Sequence, residues 1–375
     1  MKKIILAGII LLLVLCVLIF TGKITHLTLG GYFPGTKPVE IWERDISGRL
    51  VVAEEDGNII LVEEENQKVN IQGLDFYGKS IWEEEGEDQV NFFFGESYWS
   101  VVQLPQGTIK IYDYKRKQAG IFRLKTGFNK IWLGPEGQAL CIGILSVDKN
   151  TLEGLYGEML EVYNAKGELM LTESFTGKAV LDLALVPGED ILLINLVEVF
   201  PQVSSKGIIL NLEGKKLSEV SSTELFLTPL ILKEGGLAAF ASGQELYIYT
   251  IEENAVFKNS FDFTIQDYLL TSEDYIVLVS TDGAVGKGKT SLVCVNEEGS
   301  VLWDKDLPGT YIKGKSRSDG GIVVETDAFL YLLSPNGTSQ AYFLPDEDTE
   351  IYLLSTDTFL IFNGTKLKAY CWPLK

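Results

Sequence analysis

Apolar and polar positions alternate along most of this chain in short runs, and the runs come in pairs joined by a tight turn. In Leu292-Val-Cys-Val-Asn-Glu-Glu-Gly-Ser-Val-Leu-Trp303 an apolar strand enters an Asn-Glu-Glu-Gly turn and a second strand leaves it. Leu160-Glu-Val-Tyr-Asn-Ala-Lys-Gly-Glu-Leu-Met-Leu171 repeats the pattern in the same register. Ile208-Ile-Leu-Asn-Leu-Glu-Gly-Lys-Lys-Leu217 repeats it again with one residue fewer in the turn. Glycine and asparagine serve these corners because they accept the positive φ that a tight hairpin needs. About eight such units follow one another at roughly 45 residues each, the period of architectures in which every repeat is one four-stranded sheet.

The units fall at 48–62, 99–112, 131–173, 180–220, 236–249, 275–303, 321–337 and 358–372. In the first, strands at 50–53 and 59–62 flank an Asp56-Gly57 turn. The third and fourth carry insertions at 148–157 and 201–206. Segments 191–199 and 275–279 are apolar on both faces, as strands sandwiched between neighbouring sheets must be. No stretch of 39–375 sustains a 3.6-residue apolar period, so helix content is expected to be low. The pattern predicts an all-β propeller of seven or eight four-stranded blades, with eight favoured by unit count. The last unit shows three strands, at 351–354, 359–362 and 367–372, whereas Val39–Asp45 alternates well and has no unit of its own. Residues 39–45 are therefore expected to close the ring as the outer strand of the last blade, because an open edge would expose unpaired backbone groups. The alternative places them as the inner strand of the first blade, from which only 46–48 separate them.

The run Val295-Asn-Glu-Glu-Gly-Ser-Val-Leu-Trp303 is similar to the turn-glycine-then-tryptophan signature of quinoprotein repeats. Across 39–375 the chain resembles the WD40-like and quinoprotein-like β-propeller superfamily. As a whole it looks like the membrane-anchored bacterial propeller proteins of uncharacterised function. Trp303-Asp304 is its single Trp-Asp dipeptide, a departure from WD40 repeats proper. It lacks the adjacent cysteines of quinoprotein dehydrogenases, so the resemblance implies the fold without a quinone cofactor.

At the N-terminus, Lys2 and Lys3 precede a run that is uncharged from Ile4 to Phe20 and is extended by Thr21 and Gly22. The run spans about 26 Å as a helix, close to the ~30 Å hydrocarbon core. Residues 1–22 are expected to form a single transmembrane signal anchor, inserted through 4–22. Its lysines keep the N-terminus cytoplasmic and leave the rest of the chain extracytoplasmic. Residues 23–38, rich in Gly and Pro, read as a tether to the propeller domain at 39–375. A cleaved signal peptide is the alternative, although Phe20 fits the −3 position poorly. A lipid-modified Cys16 is a third reading, opposed by Leu15 before it.

The chemistry of the side chains then narrows the function. The net charge is −20, which repels phosphate backbones, so nucleic acid is not expected as a partner. The one histidine, His26, lies in the tether, which removes Ser-His-Asp triads, Cys-His pairs and H-E-x-x-H zinc sites together. Cys141 and Cys294 sit inside apolar strands, Cys371 is near the C-terminus, and no C-x-x-C spacing occurs. The acidic runs 63–65 and 83–88 lack the spacing of a calcium loop and read as solvated loop tips. Residues 283–290, Gly-Ala-Val-Gly-Lys-Gly-Lys-Thr, match the phosphate-binding P-loop string. That loop works only by opening a helix, and Ser291-Leu-Val-Cys-Val295 reads as a strand, so no nucleotide is expected. Asn336 and Asn363 match glycan acceptors but sit where Asn-Gly turns are wanted. No catalytic, cofactor-binding or metal-binding residue is assigned. The function expected is that of a non-catalytic scaffold for an envelope protein partner. The alternatives are a glycan- or peptide-binding module and a carboxylate-dependent hydrolase.

Overall fold

The computed structural model describes residues 38–372 except 47–48, 56–57, 66–67, 87–89, 96, 104–106, 125–127, 145–156, 199–201, 233–236, 252, 272–274, 283–287, 318, 343–348 and 355–357. All regular elements among the described residues are strands, arranged in eight antiparallel four-stranded sheets. Seven sheets are contiguous in sequence: blades 1 to 7 at 49–86, 90–123, 128–176, 178–222, 230–260, 267–308 and 311–342. The eighth combines 350–371 with Val39–Asp45. The eight-bladed propeller expected from the unit count is therefore the fold found, and the anchor at 1–22 and the tether at 23–37 lie outside the described residues.

The core shows why the strands are apolar on both faces. It consists of eight buried clusters, and each one joins a single pair of adjacent blades, from blades 1 and 2 round to blades 8 and 1. In Ile191–Glu198 of blade 4, Leu192, Ile194 and Leu196 pack toward blade 3, while Ile191 and Leu193 pack toward blade 5. The period-2 alternation of a strand thus feeds two interfaces at once.

The recurring hairpin is the turn from the third to the outer strand. Asn164 accepts the amides of Lys166 and Glu168 on its Oδ1, both at 3.0 Å, and Gly167 follows at φ +80°. Asp75 and Asn296 do the same in blades 1 and 6. This side-chain cap fixes the corner, and the outer strand then reaches the corner of the next blade. The Trp303 indole of blade 6 donates to the Pro335 carbonyl at 2.9 Å and covers Gly337 in blade 7. Trp42 of blade 8 donates to Phe76 O at 3.1 Å and covers Gly78 in blade 1. A Cβ on Gly337 would lie 2.8 Å from the Trp303 ring, so glycine is required there for space as well as for its φ of +78°.

The ring closes as the alternation of 39–45 predicts. Val39–Asp45 pairs antiparallel with Lys366–Cys371, from Val39 opposite Cys371 to Asp45 opposite Lys366. Glu43 faces both Lys366 and Lys368, the latter at 2.7 Å, and these cations hold its carboxyl down at about 2. Two sequence expectations need correction. The acidic runs are strand residues rather than loop tips, since Glu63–Glu65 end Asn58–Glu65 and Glu83 and Glu84 lie in Ser80–Gly86. Partners on the adjacent strand and in the next blade make this acceptable for the second run: Asn70 and Gln72 both donate to Glu83 at 3.0 Å, and Arg116 of blade 2 pairs with Glu84 at 2.7 Å. The insertion placed at 201–206 is shorter, because Ser204–Asn211 is already the third strand of blade 4.

Candidate functional site

Two regions of a propeller can carry function: the inner strands around the axis and the loop-bearing faces. The inner strands and their neighbours carry polar side chains that bridge from blade to blade. In blade 4 the ladder slips between Val180 and Asp182. Blade 3 grips that irregular peptide from both sides. Glu158 accepts the Val180 amide at 2.5 Å, and the Lys130 ammonium donates to the Val180 carbonyl at 2.8 Å. Asp182 accepts the Trp132 indole of blade 3 at 2.8 Å and the Thr228 hydroxyl, just before blade 5, at 2.6 Å. One carboxylate therefore ties three consecutive blades. Further round, Tyr268 donates to Thr228 O at 2.5 Å, and Tyr311 of blade 7 donates to Asp267 of blade 6. Burial pushes the hydroxyls of Tyr268 and Tyr311 well up, so both stay protonated as donors.

Lys313 repeats the Lys130 role one seam before closure, donating to Ile351 O of blade 8. Its neighbour Glu325 is 8% exposed, and the Lys313 ammonium lies 3.5 Å from its Oε2, which accepts no hydrogen bond. Burial raises the Glu325 carboxyl above its usual range, with Lys313 opposing and Glu350 adding. Asp182, Asp267 and Glu158 are already committed as acceptors. These inner groups act as struts between blades. Replacing Asp182 by Ala leaves the Trp132 N–H and the Thr228 hydroxyl without this acceptor, a loss of about 2–4 kcal/mol. Urea unfolding of the variant is expected to show a lower midpoint with an unchanged slope.

Glu325 gives a pH signature. A carboxyl raised in the folded state stabilises the protein at low pH, and that contribution fades as pH rises from the unfolded value, about 4.3, through the folded one. Glu325→Gln removes this decline. Its melting temperature is expected to gain on the parent as the pH rises above about 4, the value for an unfolded glutamate. A difference that stays constant with pH would show that Glu325 does not titrate in that range.

The two faces are distinguished by the connections they carry. Connections between second and third strands, and those from blade to blade, emerge on one face, here called upper; the other turns form the lower face. Both predicted insertions leave from the upper face, between the second and third strands of blades 3 and 4. Residues 148–156 and Pro201 themselves lie outside the described residues. Beside these connections stand three exposed apolar side chains: Ile144 at 65%, Val203 at 54% and Leu225 at 51%. Ser205 donates its hydroxyl to Glu224 O, which holds the Leu225 segment next to the strand that begins after Val203.

The P-loop-like string also falls in a second-to-third connection, that of blade 6. Its described end, Lys289 and Thr290, opens the strand Lys289–Val295 and no helix. Lys289 pairs with Asp306 at 2.8 Å, and Thr290 donates to Gly309 O at 2.8 Å. Cys141 and Cys294 are buried in strands of blades 3 and 6, and burial pushes the Cys141 thiol up. Among the described residues no group of three or more His, Cys, Asp or Glu is placed to hold a metal ion. The six tryptophans are all used between or within blades: Trp99 and Trp372 are buried, and Trp42, Trp82, Trp132 and Trp303 pack against neighbouring strands or turns.

No protein-family model matches this chain, and no curated protein matches it. Solved structures of similar fold include Kluyveromyces lactis Hsv2, with a TM-score of 0.47 and 11% identity over 80% of this chain and 98% of that one. The β-propeller domain of Myceliophteria thermophila Cps50 (Swd1) gives a TM-score of 0.43 and 10% identity over 88% and 98% of the two chains.

Proposed function

We propose that this chain is a membrane-anchored extracytoplasmic propeller that works as a non-catalytic protein-interaction scaffold. The observation that carries the reading is the exposure of Ile144, Val203 and Leu225 on one face, over consecutive blades and beside both long connections. Apolar side chains grouped in this way on a strongly acidic chain mark a surface that a partner covers. The uncharged run after Lys2 and Lys3 supports the anchor and its orientation. The chain enters the propeller at Pro38, at the lower end of blade 8, so the face proposed for the partner is the opposite one. The seats of Trp42 and Trp303 on glycine turns support a kinship with quinoprotein-like propellers. A glycan platform is disfavoured because the tryptophans that would build it are already packed in the blades.

The test is site-specific photocrosslinking in intact cells, with the photoreactive residue at Val203, Leu225 or, on the lower face, Lys215. External protease reports in parallel whether the propeller is reachable from outside. Adducts from Val203 and Leu225 but not Lys215, in a chain cleaved from outside, are the result expected. Equal labelling from both faces, or a propeller protected from external protease, would overturn the corresponding half of the proposal.

A further inference from the structure

The outer strand of every blade bonds its neighbour on one side only and turns its other row of N–H and C=O groups outward. Proteins guard such edges with charge, proline or short length, because any extended segment can add to them. Among the described residues, seven of the eight edges are guarded. Six carry exposed charge, including Glu43, Glu83, Arg123, Glu219, Lys258 and Asp304, and the described part of the blade 7 edge, Ser339–Tyr342, is four residues long. Blade 3 is the exception. Its outer strand, Leu169–Thr176, runs for eight residues, and its exposed positions are Leu169, Met170, Thr172, Ser174 and Thr176. The strand's single charged residue, Glu173, is half-buried and lies against the Gly214 turn of blade 4.

We propose that Leu169–Thr176 is a strand-addition site for an extended, uncharged segment of a partner protein. Main-chain hydrogen bonds would supply the affinity, and the exposed row of methyl, hydroxyl and thioether groups favours neutral side chains, since the strand's one charge, Glu173, is turned against the Gly214 corner of blade 4. A second copy of this chain is the weaker occupant. Pairing two eight-residue edges covers only several hundred Å², below the ~1,000 Å² of a stable interface. It would also bring together two chains of net charge −20. The site rests on the scaffold reading and extends it to a second surface.

The probe is a fluorescent peptide of alternating threonine and valine, added to the full chain in detergent micelles and followed by anisotropy and deuterium exchange. Saturable binding with slowed exchange at Leu169–Thr176, and not at the guarded edge Ala255–Ser260, is the expected result. Thr172→Lys combined with Ser174→Lys is expected to weaken binding by about tenfold or more, and so is N-methylation of alternate peptide residues. Both changes leave the core untouched, and an unchanged melting temperature confirms folding of the variant. Binding that ignores both changes overturns the proposal. So does self-association, without peptide, that the two lysines abolish, because the occupant is then a second copy. If the peptide fails to bind while Val203 still crosslinks to a protein, the edge proposal falls and the scaffold reading stands; if both fail, both fall.

Discussion

A chain beginning at Ile46, without Val39–Asp45, is expected to lose cooperative thermal unfolding. The deletion removes six paired positions along Lys366–Cys371 and the contacts of Glu40 and Glu43 with Lys366 and Lys368. It also removes Ile41 and Trp42 from the cluster between blades 8 and 1, and with Trp42 the cover over Gly78. Losing a half-buried tryptophan and several ladder hydrogen bonds costs several kcal/mol, comparable with the ~5–15 kcal/mol that holds a whole domain together. The edge left open on Lys366–Cys371 then offers unpaired backbone to other chains, so aggregation on heating should accompany the loss. A truncated chain that melts as sharply as the parent, at the same temperature, would mean that the ring does not depend on its closing strand.

The largest single-residue effect is expected at Trp99. It is fully buried between blades 1 and 2, stacked 5.6 Å from Trp82 with planes only 5° apart and 4.9 Å from Tyr112. Its indole donates to Asp113 O at 3.0 Å, but that carbonyl also accepts the Arg116 amide at 2.9 Å. Removing the ring therefore orphans no acceptor, and the cost is packing and cavity: about 3–5 kcal/mol for Trp99→Ala. Trp99→Phe, which keeps an aromatic face for Trp82, is expected to recover a large part of it. Urea midpoints of the two variants check both size and order; equal midpoints would mean that the stack contributes little beyond filled volume.

The repeating hairpin was legible because its information is local. Asn164 with Gly167, and Asn296 with Gly299, announce their corners within five residues, and the alternation on either side announces the strands. Closure was legible by elimination, since 39–45 is a strand without a blade. The struts were not. Lys130, Glu158 and Asp182 are charged residues within strands, and on sequence alone each reads as solvated. Their partners are backbone groups and side chains in or beside the adjacent blades, Val180, Trp132 and Thr228, at separations that no short pattern spans. The slip between Val180 and Asp182 that presents the gripped peptide has no residue signature at all. The acidic runs were misplaced for the opposite reason. Glutamate is poorly suited to strands in general, and Asn70, Gln72 and Arg116 make it suitable here. That Ile144, Val203 and Leu225 lie on one face followed only from the topology, which sets the end of one strand and two connections of consecutive blades on the upper side.

Ring closure by the two ends of the chain also sets a timetable. Blades 1 to 7 are contiguous in sequence, so each can form as soon as its own hairpins are made. Among the described strands Val39–Asp45 is the first to be synthesised and the last to be satisfied, because Glu43 must wait for Lys366, 323 residues later. Bringing such distant segments together costs about 4 kcal/mol more in chain entropy than closing a five-residue turn. Until Lys366–Cys371 has been made, the nascent chain is an open arc with one strand waiting and one seam uncovered. For a chain threaded across a membrane from its N-terminus, the waiting strand would emerge first, which makes the interval before closure the time when it is most exposed to proteases and to mispairing.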